Sequence, residues 1–316
     1  MVLVYYDPFF LRHETGHHPE NAGRLVAIWH RLQGSGLLDQ CAQPGWAPAP
    51  LDILHEVHDP FYLDTLQKFC WAGGGRIEQD TIVCRESYDV AALAAGAVVD
   101  AVHQVVEGPN RRALCLVRPP GHHALPADAM GFCLMGNVAI GARIATRRLG
   151  LQRVLIVDWD VHHGNGTQEV FWEDPTVGFY SMHRWPFYPG TGAREEVGAG
   201  PGRGYTCNLP IEFGTSRESI IDQFTTTLEE FAAHVRPELV MISAGFDAHR
   251  LDPVGSLGLH SSDFGTLSEV VLRVAEQYAD GRVVSVLEGG YHPEALAESA
   301  EIHLRSLLVG SSQDTF

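Results

Sequence analysis

Residues 154–166 read VLIVDWDVHHGNG, a run of four apolar residues followed at once by a stretch that holds two aspartates and two histidines. A short apolar, β-branched run that ends in polar residues and glycine predicts a buried β-strand, Val154–Val157. In an open parallel α/β sheet, ligands bind beyond the carboxyl ends of the strands. The segment therefore predicts an interior strand of such a sheet, with Asp158, Asp160 and His162 held at its end.

The same pattern of strand and helix continues on both sides of this segment. Six short apolar runs predict strands: Val2–Tyr5, Ala113–Val117, Val154–Val157, Val177–Tyr180, Leu239–Ile242 and Val283–Leu287. Five longer, alanine-rich stretches with helical spacing predict helices: Val90–Val106, Val138–Leu149, Ile220–Val235, Ser262–Ala279 and Pro293–Leu308. Alternation of this kind predicts an α/β fold, a mostly parallel sheet with helices on both faces. Because no linker-like run divides the chain, we predict a single domain over residues 1–316.

Three further predicted strands also end in residues that carry chemistry. They run into Arg118-Pro-Pro-Gly-His122-His123, Ser243-Ala-Gly-Phe-Asp247 and Glu288-Gly-Gly-Tyr291. The carboxyl ends of parallel strands lie at the same edge of a sheet, so these side chains should meet those that follow Val157. This convergence predicts an enzyme.

The pattern also predicts a catalytic metal site. Asp160 and His162 are two residues apart at a strand end, so both side chains can point to the same side. Asp247 follows another predicted strand and would supply a third ligand. Three nitrogen or oxygen ligands with one position left open are the usual way of holding catalytic zinc. An isolated Asp-x-His would more simply be a turn or a helix cap, and the cysteines lie outside these clusters, which argues against a structural zinc.

A catalytic metal of this kind can support hydrolysis, and hydrolysis of a carbonyl group such as that of an amide also needs a base, an acid and a hydrogen-bond donor for the developing oxyanion. His122 and His123 can supply the first two, because imidazole titrates near neutral pH. Asp158 and Asn165 are the candidates for fixing the orientation of these rings. Tyr291, which follows two glycines, can donate its hydroxyl to the oxyanion.

Taken together, these motifs resemble those of the histone deacetylase superfamily, which includes acetoin-utilisation proteins and acetylpolyamine amidohydrolases. The matching motifs are Arg118-Pro-Pro-Gly-His-His, Gly131-Phe132, Asp158-Trp-Asp-Val-His-His-Gly-Asn-Gly-Thr167, Tyr188-Pro-Gly-Thr-Gly192, Ser243-Ala-Gly-Phe-Asp247 and Glu288-Gly-Gly-Tyr291. They occur in the family's order and cover the chain from about Asp7 to Tyr291. The resemblance implies the arginase–deacetylase fold, in agreement with the alternation of strands and helices.

The resemblance assigns the metal ligands. Asp160, His162 and Asp247 look like the ligands of one Zn²⁺ per chain. A structural K⁺ is also implied, at a site that resembles the family's and comprises Asp158, Asp160, His162, Ser181 and Met182.

The resemblance also assigns catalytic and channel residues. His122 and His123 look like the general acid–base pair, with His123 as the proton shuttle, and Tyr291 looks like the residue that polarises the carbonyl. Phe132 and Tyr188 resemble the two aromatic residues that line a narrow acyl-lysine channel.

Further out, Gly131 belongs to the channel motif, and Arg24 resembles an arginine near an internal acetate cavity. Asp80 resembles a rim residue that contacts the substrate backbone.

Three features indicate the branch of the family that the chain resembles and whether it is active. Asn165 stands where some members have aspartate, which makes the chain resemble the class II branch. Tyr188 replaces the more usual phenylalanine, and Tyr291 is kept where poorly active members carry histidine.

Composition limits the partners. The formal net charge is -17, from 39 acidic and 22 basic residues. The electric field of such a negative charge repels nucleic acid and anionic membranes and favours cationic ligands such as amines or lysine-rich peptides. The alternative explanation is that the charge only keeps the protein soluble. Six scattered cysteines, the absence of a signal-peptide pattern and the lack of an apolar run of membrane length predict a soluble, cytoplasmic protein.

The leading hypothesis is therefore a zinc-dependent deacetylase that acts on an acylated lysine peptide or an acylated small amine. An acetylpolyamine amidohydrolase is one alternative, although the stretch between Trp71 and Tyr88 is short for the insertion that narrows the entrance of such enzymes. A binuclear ureohydrolase and a non-catalytic acyl-lysine binding protein are two others. The sequence leaves open the acyl group, the amine, the oligomeric state, and whether zinc or iron is the working metal.

Overall fold

A computed structural model describes residues 1–309 of the protein. Its strands are β1 Val2–Tyr5, β2 Cys41–Ala42, β3 Gly75–Arg76, β4 Ile82–Val83, β5 Arg112–Cys115, β6 Val154–Asp158, β7 Val177–Trp185, β8 Thr206–Glu212, β9 Leu239–Ala244 and β10 Val283–Leu287. Its α-helices are α1 Gly23–Gly34, α2 Leu51–Leu54, α3 Pro60–Trp71, α4 Ser87–Val106, α5 Asn137–Arg147, α6 Asn165–Phe171, α7 Arg217–Val235, α8 Ser261–Tyr278 and α9 Pro293–Val309. Short 3₁₀ helices occupy Pro8–Arg12, Leu37–Gln40 and Gly200–Gly202.

Within the described residues, eight strands form one sheet in the order β2-β1-β5-β10-β9-β6-β7-β8. Every neighbouring pair in this sheet is parallel, and β3 and β4 form a separate antiparallel pair. Helices flank the sheet, with α4 and α5 packed together in one group and α1, α7, α8 and α9 in another. The predicted α/β fold with a parallel sheet is confirmed.

All six predicted strands are present; Val2–Tyr5 and Val283–Leu287 have the predicted bounds, and the other four have shifted ends. β5 ends at Cys115 rather than at residue 117, and β7 continues to Trp185. Four elements of seven or more residues were missed, β8, α1, α3 and α6. β8 is an edge strand that contains Pro210, a residue without an N–H to donate, which masks the strand pattern. α3 carried a readable signal, because the Asp59 carboxylate accepts hydrogen bonds from the N–H groups of the first turn.

Helix α4 corrects one expectation. By length and composition it could cross a membrane, whereas the sequence analysis predicts no apolar run of membrane length. Fourteen of its 20 residues are buried in the protein, where the helix packs against α5 and strands β5 and β10. Its apolar character is therefore matched by protein contacts.

The central strands β6, β9 and β10 are buried along their whole length, as a parallel sheet covered on both faces requires. One hydrophobic cluster runs from Val2 to Leu307. The assignment of residues 1–316 to a single domain stays a prediction, and residues 310–316 lie outside the described part of the chain.

Candidate active site

The sheet order brings the predicted site residues together. Strands β5, β10, β9 and β6 are consecutive neighbours in the sheet, and each is followed by one of the polar clusters. The loops after these strands therefore meet at one edge, as the carboxyl ends of parallel strands must. Gly289, after β10, donates its N–H to Asp160 after β6 at 2.9 Å, and Val161 donates to Asp247 after β9 at 2.9 Å.

Three candidate metal ligands form one buried cluster. The ligand atoms of Asp160, His162 and Asp247 all lie within 4.8 Å of one another. His162 Nδ1 is 3.0 Å from Asp160 Oδ1 and 3.1 Å from Asp247 Oδ2. Within residues 1–309, Asp247 Oδ2 has no hydrogen-bond partner of acceptable geometry although it is buried. A buried carboxylate oxygen in that state calls for a cation or a proton.

The electrostatics of the cluster fit a divalent ion. Burial, together with the charge of Asp160, raises the pKa of Asp247 to about 7. Burial opposes the charge on His162, but the hydrogen bond to Asp160 and the negative charges of Asp160 and Asp247 raise its pKa to about 10. A Cβ at Gly289 would run into both carboxylates, so the loop after β10 can close over them only with glycine there. Two crowded carboxylates and an imidazole are a donor set that zinc accepts.

The two histidines after β5 stand next to this cluster with their rings 4.0 Å apart. His122 Nδ1 lies 3.0 Å from Asp158 Oδ2, and His123 Nδ1 lies 2.7 Å from Asn165 Oδ1. Both partners are the ones expected from the sequence.

The two rings are driven to opposite charge states. Burial lowers the pKa of His122, but the carboxylates of Asp160 and Asp158 outweigh it and raise the value to about 10. Burial, reinforced by the positive charges of His122 and His162, holds the pKa of His123 well below its usual range. Neighbouring groups whose pKa values are pushed apart are the usual mark of an acid–base pair.

A narrow pocket of about 180 Å³ leads to this cluster. It is lined by Asp80, His123, Gly131, Phe132, His162, Phe187, Tyr188, Val254 and Tyr291. The sequence did not single out Phe187 as a channel residue; its ring stacks on His162 at 5.2 Å and 15°. A larger cleft of about 970 Å³ has Asn165 among its lining residues, but the smaller pocket is the candidate active site because it contains His123, His162 and Tyr291.

One loop fixes the wall of the pocket. Phe132 has φ +70°, in the left-handed region that a non-glycine residue rarely adopts. Its N–H donates to Thr81 Oγ1 at 3.1 Å, and the N–H of Gly131 donates to Glu78 Oε1 at 3.0 Å. Asp80, which lies between Glu78 and Thr81 in the sequence, lines the pocket as expected. Glu78 and Thr81 were not identified from the sequence, because their partners lie some 50 residues away.

Tyr291 is held from two sides. Its N–H donates to Asp252 Oδ2 at 2.6 Å, and the Arg24 guanidinium lies 4.9 Å from the centre of its ring. Arg24 also donates to the carbonyl of Gly290 at 2.6 Å. In the described part of the chain the Tyr291 hydroxyl has no hydrogen-bond partner, and burial keeps its pKa well above the usual value. The sequence pointed to Arg24 and Tyr291 but not to Asp252.

Beneath Tyr291 lies a buried ionic network that the sequence analysis also missed. The Glu20 carboxylate accepts from Arg24 at 3.1 Å and from Arg118 at 2.5 and 2.7 Å. The carbonyl of Glu288 accepts from Arg24 at 2.5 Å. Arg24, placed near an acetate cavity by the resemblance, is thus engaged by protein acceptors and supports the loop that carries Tyr291.

A second cluster of potential ligands comprises His122, Cys133 and Glu288. Its metal-binding capacity is weaker, because burial raises the pKa of the Cys133 thiol and His122 is already paired with Asp158. The sequence analysis placed no cysteine in the site, and Cys133 corrects that. Glu288 Oε2 accepts from the N–H groups of Gly121 and His122 at 2.7 and 3.2 Å, which ties the histidine loop to β10.

The residues expected at a potassium site lie close together, and the side chains of Asp158 and Ser181 have hydrogen-bond partners within the protein. Asp158 and Ser181 are paired in register across β6 and β7. Asp158 accepts from the N–H of Asp160 at 3.0 Å, and Ser181 Oγ lies 3.0 Å from His183 Nδ1. Met182 is fully buried in β7. A role in holding potassium stays a prediction for all five residues.

His163 bears on the ureohydrolase alternative. Its Nδ1 lies 2.8 Å from Thr191 Oγ1 and its Nε2 lies 3.0 Å from Gln168 Oε1. Both ring nitrogens are occupied by protein groups, so His163 is not free to bind a second metal beside Asp160. The arrangement favours a single-metal site.

Comparison with known proteins agrees with this geometry. A model of the histone deacetylase domain matches residues 18–307. A probable deacetylase of Archaeoglobus fulgidus is 35% identical over 310 residues, which cover 98% of this chain and 86% of the archaeal protein. Histone deacetylase 9 of Homo sapiens is 36% identical over 343 residues, which cover 96% of this chain but 34% of the human protein. The crystal structure of the HDA15 HD domain is similar with a TM-score of 0.90 and 34% identity, covering 99% of this chain and 90% of that one.

Proposed function

Because the chain belongs to the histone deacetylase family, we propose that it is a metal-dependent deacylase that hydrolyses the amide of an acylated lysine or small amine. One observation carries the proposal. The pocket is lined by His123, His162 and Tyr291, whose hydroxyl has no partner among residues 1–309, and His162 and His123 are in turn in contact with the other candidate ligands and with His122. Each group that amide hydrolysis requires is therefore within reach of one bound substrate.

Asp160, His162 and Asp247 would hold the metal ion. When bound, zinc polarises the acyl carbonyl and makes water more acidic. The two buried carboxylates give the cluster the negative charge that a divalent ion neutralises. Zinc is the ion we propose, and iron is the alternative, since aspartate and histidine ligands discriminate weakly between them.

His123 is proposed as the proton shuttle. Its low pKa keeps the ring neutral, and its Nδ1 is occupied by Asn165, so Nε2 is the nitrogen that takes a proton from water. The same nitrogen then delivers the proton to the leaving amine. His122, protonated beside Asp158, supplies a fixed positive charge near the reacting carbonyl.

Tyr291 is proposed as the donor to the oxyanion. Its high pKa keeps the hydroxyl protonated, and that hydroxyl has no competing acceptor among residues 1–309. Arg24 and Asp252 fix the ring and the backbone of this residue, so the donor is oriented before substrate binds. Such preorganised donors are among the largest contributions to catalysis of acyl transfer.

The pocket suggests the substrate class. Phe132, Phe187 and Tyr188 give it aromatic walls that suit an unbranched alkyl chain such as that of lysine. Asp80 at the pocket and the net charge of -17 favour a cationic carrier of the amide. An acylated lysine peptide is the leading substrate, and an acetylpolyamine is the alternative. Potassium near Asp158 and Ser181, and a cytoplasmic location, stay predictions.

The test is a substrate panel on protein loaded with a defined metal. Acetyl-lysine peptides and acetylated di- and polyamines are assayed side by side, with acyl length varied on each carrier. Faster turnover of peptides supports a protein deacylase, and faster turnover of the small amines supports an acetylpolyamine amidohydrolase. Binding of acylated ligands without turnover of any of them would instead indicate an acyl-lysine binding protein.

A further inference from the structure

The side-chain amide of Asn165 contacts two groups of different character. Its Oδ1 lies 2.7 Å from His123 Nδ1, and its Nδ2 donates to the thioether sulfur of Met130 at 3.3 Å. In the described part of the chain this sulfur is the sole side-chain acceptor of the Asn165 amide N–H groups. The amide thus connects His123, in the pocket, to a methionine that directly precedes the channel residues Gly131 and Phe132.

The orientation of that amide determines which nitrogen of His123 carries the proton. With Oδ1 towards the ring, Nδ1 must donate, which leaves a lone pair on Nε2 facing the pocket. If the amide were reversed, its NH₂ group would face Nδ1 and the ring proton would move to Nε2. A neutral ring in that tautomer cannot take a proton from water at Nε2, so it is inactive as a base.

The two orientations differ little in shape, since the oxygen and nitrogen of an amide are nearly equal in size. A thioether sulfur accepts hydrogen bonds and cannot donate them. Met130 therefore favours the orientation in which Nδ2 points to sulfur and Oδ1 points to His123. The segment is also packed tightly here, because a Cβ on the following residue, Gly131, would run into the His123 ring.

We propose that Met130 is a positioning residue that sets the amide orientation of Asn165 and, through it, the tautomer in which His123 acts as a base. This inference rests on the proposed deacylase function. It also explains a consequence of having asparagine at position 165: a carboxylate offers two equivalent oxygens to the ring, whereas an amide has one correct orientation and needs a second partner to select it.

The test compares Met130→Leu in two backgrounds. Leucine keeps an apolar side chain of similar volume but removes the acceptor, so the two amide orientations become similar in energy. The productive fraction of His123 then falls to about half, and kcat falls about twofold or more with KM unchanged. In the Asn165→Asp background, Met130→Leu should leave kcat at the value of Asn165→Asp alone, because the carboxylate needs no orienting partner. Met241→Leu, the same exchange at a buried methionine of β9, is the matched control and should leave kcat at the wild-type value.

The tautomer itself is read by NMR on protein with ¹⁵N-labelled histidine, with the His123 signal assigned by its loss in His123→Ala. Wild type should show His123 protonated at Nδ1 alone, and Met130→Leu should show both tautomers in comparable amounts. A single Nδ1–H tautomer in Met130→Leu would overturn the inference, as would an equal loss of kcat in both backgrounds. If wild type turned over no acylated substrate, the proposed function would fail, and the tautomer measurement would still decide the role of Met130.

Discussion

Replacing Tyr291 with phenylalanine removes one hydroxyl and leaves the rest of the site in place. The ring keeps its edge contact with Phe132, at a centroid distance of 5.7 Å, and its contact with the Arg24 guanidinium at 4.9 Å. The backbone bond from its N–H to Asp252 does not involve the side chain. Because the hydroxyl has no partner within the described residues, the folded protein loses no hydrogen bond.

The expected effect is therefore confined to the reaction. Loss of one preorganised oxyanion donor from a water-poor site typically lowers kcat by about 10²- to 10³-fold, or about 2.7–4 kcal/mol. The free energy of unfolding should change by less than about 0.5 kcal/mol, the range typical of substitutions that break no packing or hydrogen bond. Metal content should stay at the wild-type value, since Tyr291 is not among the candidate ligands.

Three measurements on the same preparation separate these effects. Steady-state kinetics on the best substrate of the panel give kcat and KM, elemental analysis gives metal per chain, and urea unfolding gives stability. A decrease in kcat of less than about fivefold would refute the role of Tyr291, because one oxyanion donor typically contributes more than that. A matching loss of metal would instead indicate that the substitution had damaged the cluster.

Three further predictions follow from buried ionisable side chains. Chelation should abolish turnover and lower the thermal unfolding midpoint, because Asp160 and Asp247 are both fully buried and would lose their counter-ion; an unchanged midpoint would argue against a metal between them. Glu20→Gln should lower the free energy of unfolding by about 3–5 kcal/mol in urea titrations, since it leaves the buried guanidiniums of Arg24 and Arg118 without their carboxylate. Lys68→Ala, which breaks an exposed pair with Asp64, is the comparison and should cost less than about 0.5 kcal/mol. Burial lowers the pKa of His303 to about 3 from its usual 6.5. Between these two pH values the unfolded chain binds a proton that the folded chain excludes. The contribution of His303 to the free energy of unfolding is therefore fully present above pH 6.5 and is lost as the pH falls towards about 3. Urea unfolding between pH 6 and 4.5 should show a loss of about 2 kcal/mol from this group that is absent in His303→Gln; equal losses in both proteins would contradict it.

Much of the site could be predicted because its residues lie within short motifs at strand ends. Asp160 and His162 are two residues apart, so strand geometry alone allows both side chains to point to the same side. His122 and His123 are adjacent in the segment that follows one predicted strand, which places both at the same edge of the sheet. The expectation that Asp158 and Asn165 orient the two imidazoles agrees with the contacts at 3.0 and 2.7 Å. Phe187 was harder to identify, because an aromatic residue beside the family motif at Tyr188 has no pattern of its own.

The residues that hold the site in place could not be predicted in this way, because they contact segments that are distant in the sequence. Arg24 reaches the carbonyl of Gly290 across 266 residues of sequence, and Glu20 reaches Arg118 across 98. Glu78 and Thr81 support the wall at Gly131 and Phe132 from a loop that carries no recognisable motif. A contact between distant segments depends on how the helices pack around the sheet, which local periodicity does not encode.

The sequence by itself determined the α/β alternation, the parallel sheet and the residue types at four strand ends, because hydrophobic spacing and turn chemistry act over a few neighbouring residues. The tertiary structure alone decided which strands are neighbours in the sheet, and at what distances the predicted residues meet, such as 3.1 Å between His162 Nδ1 and Asp247 Oδ2. It also decided the charge state of each imidazole, since burial and the surrounding carboxylates set the pKa values. Those properties arise from distances between side chains that exist only once the chain has folded.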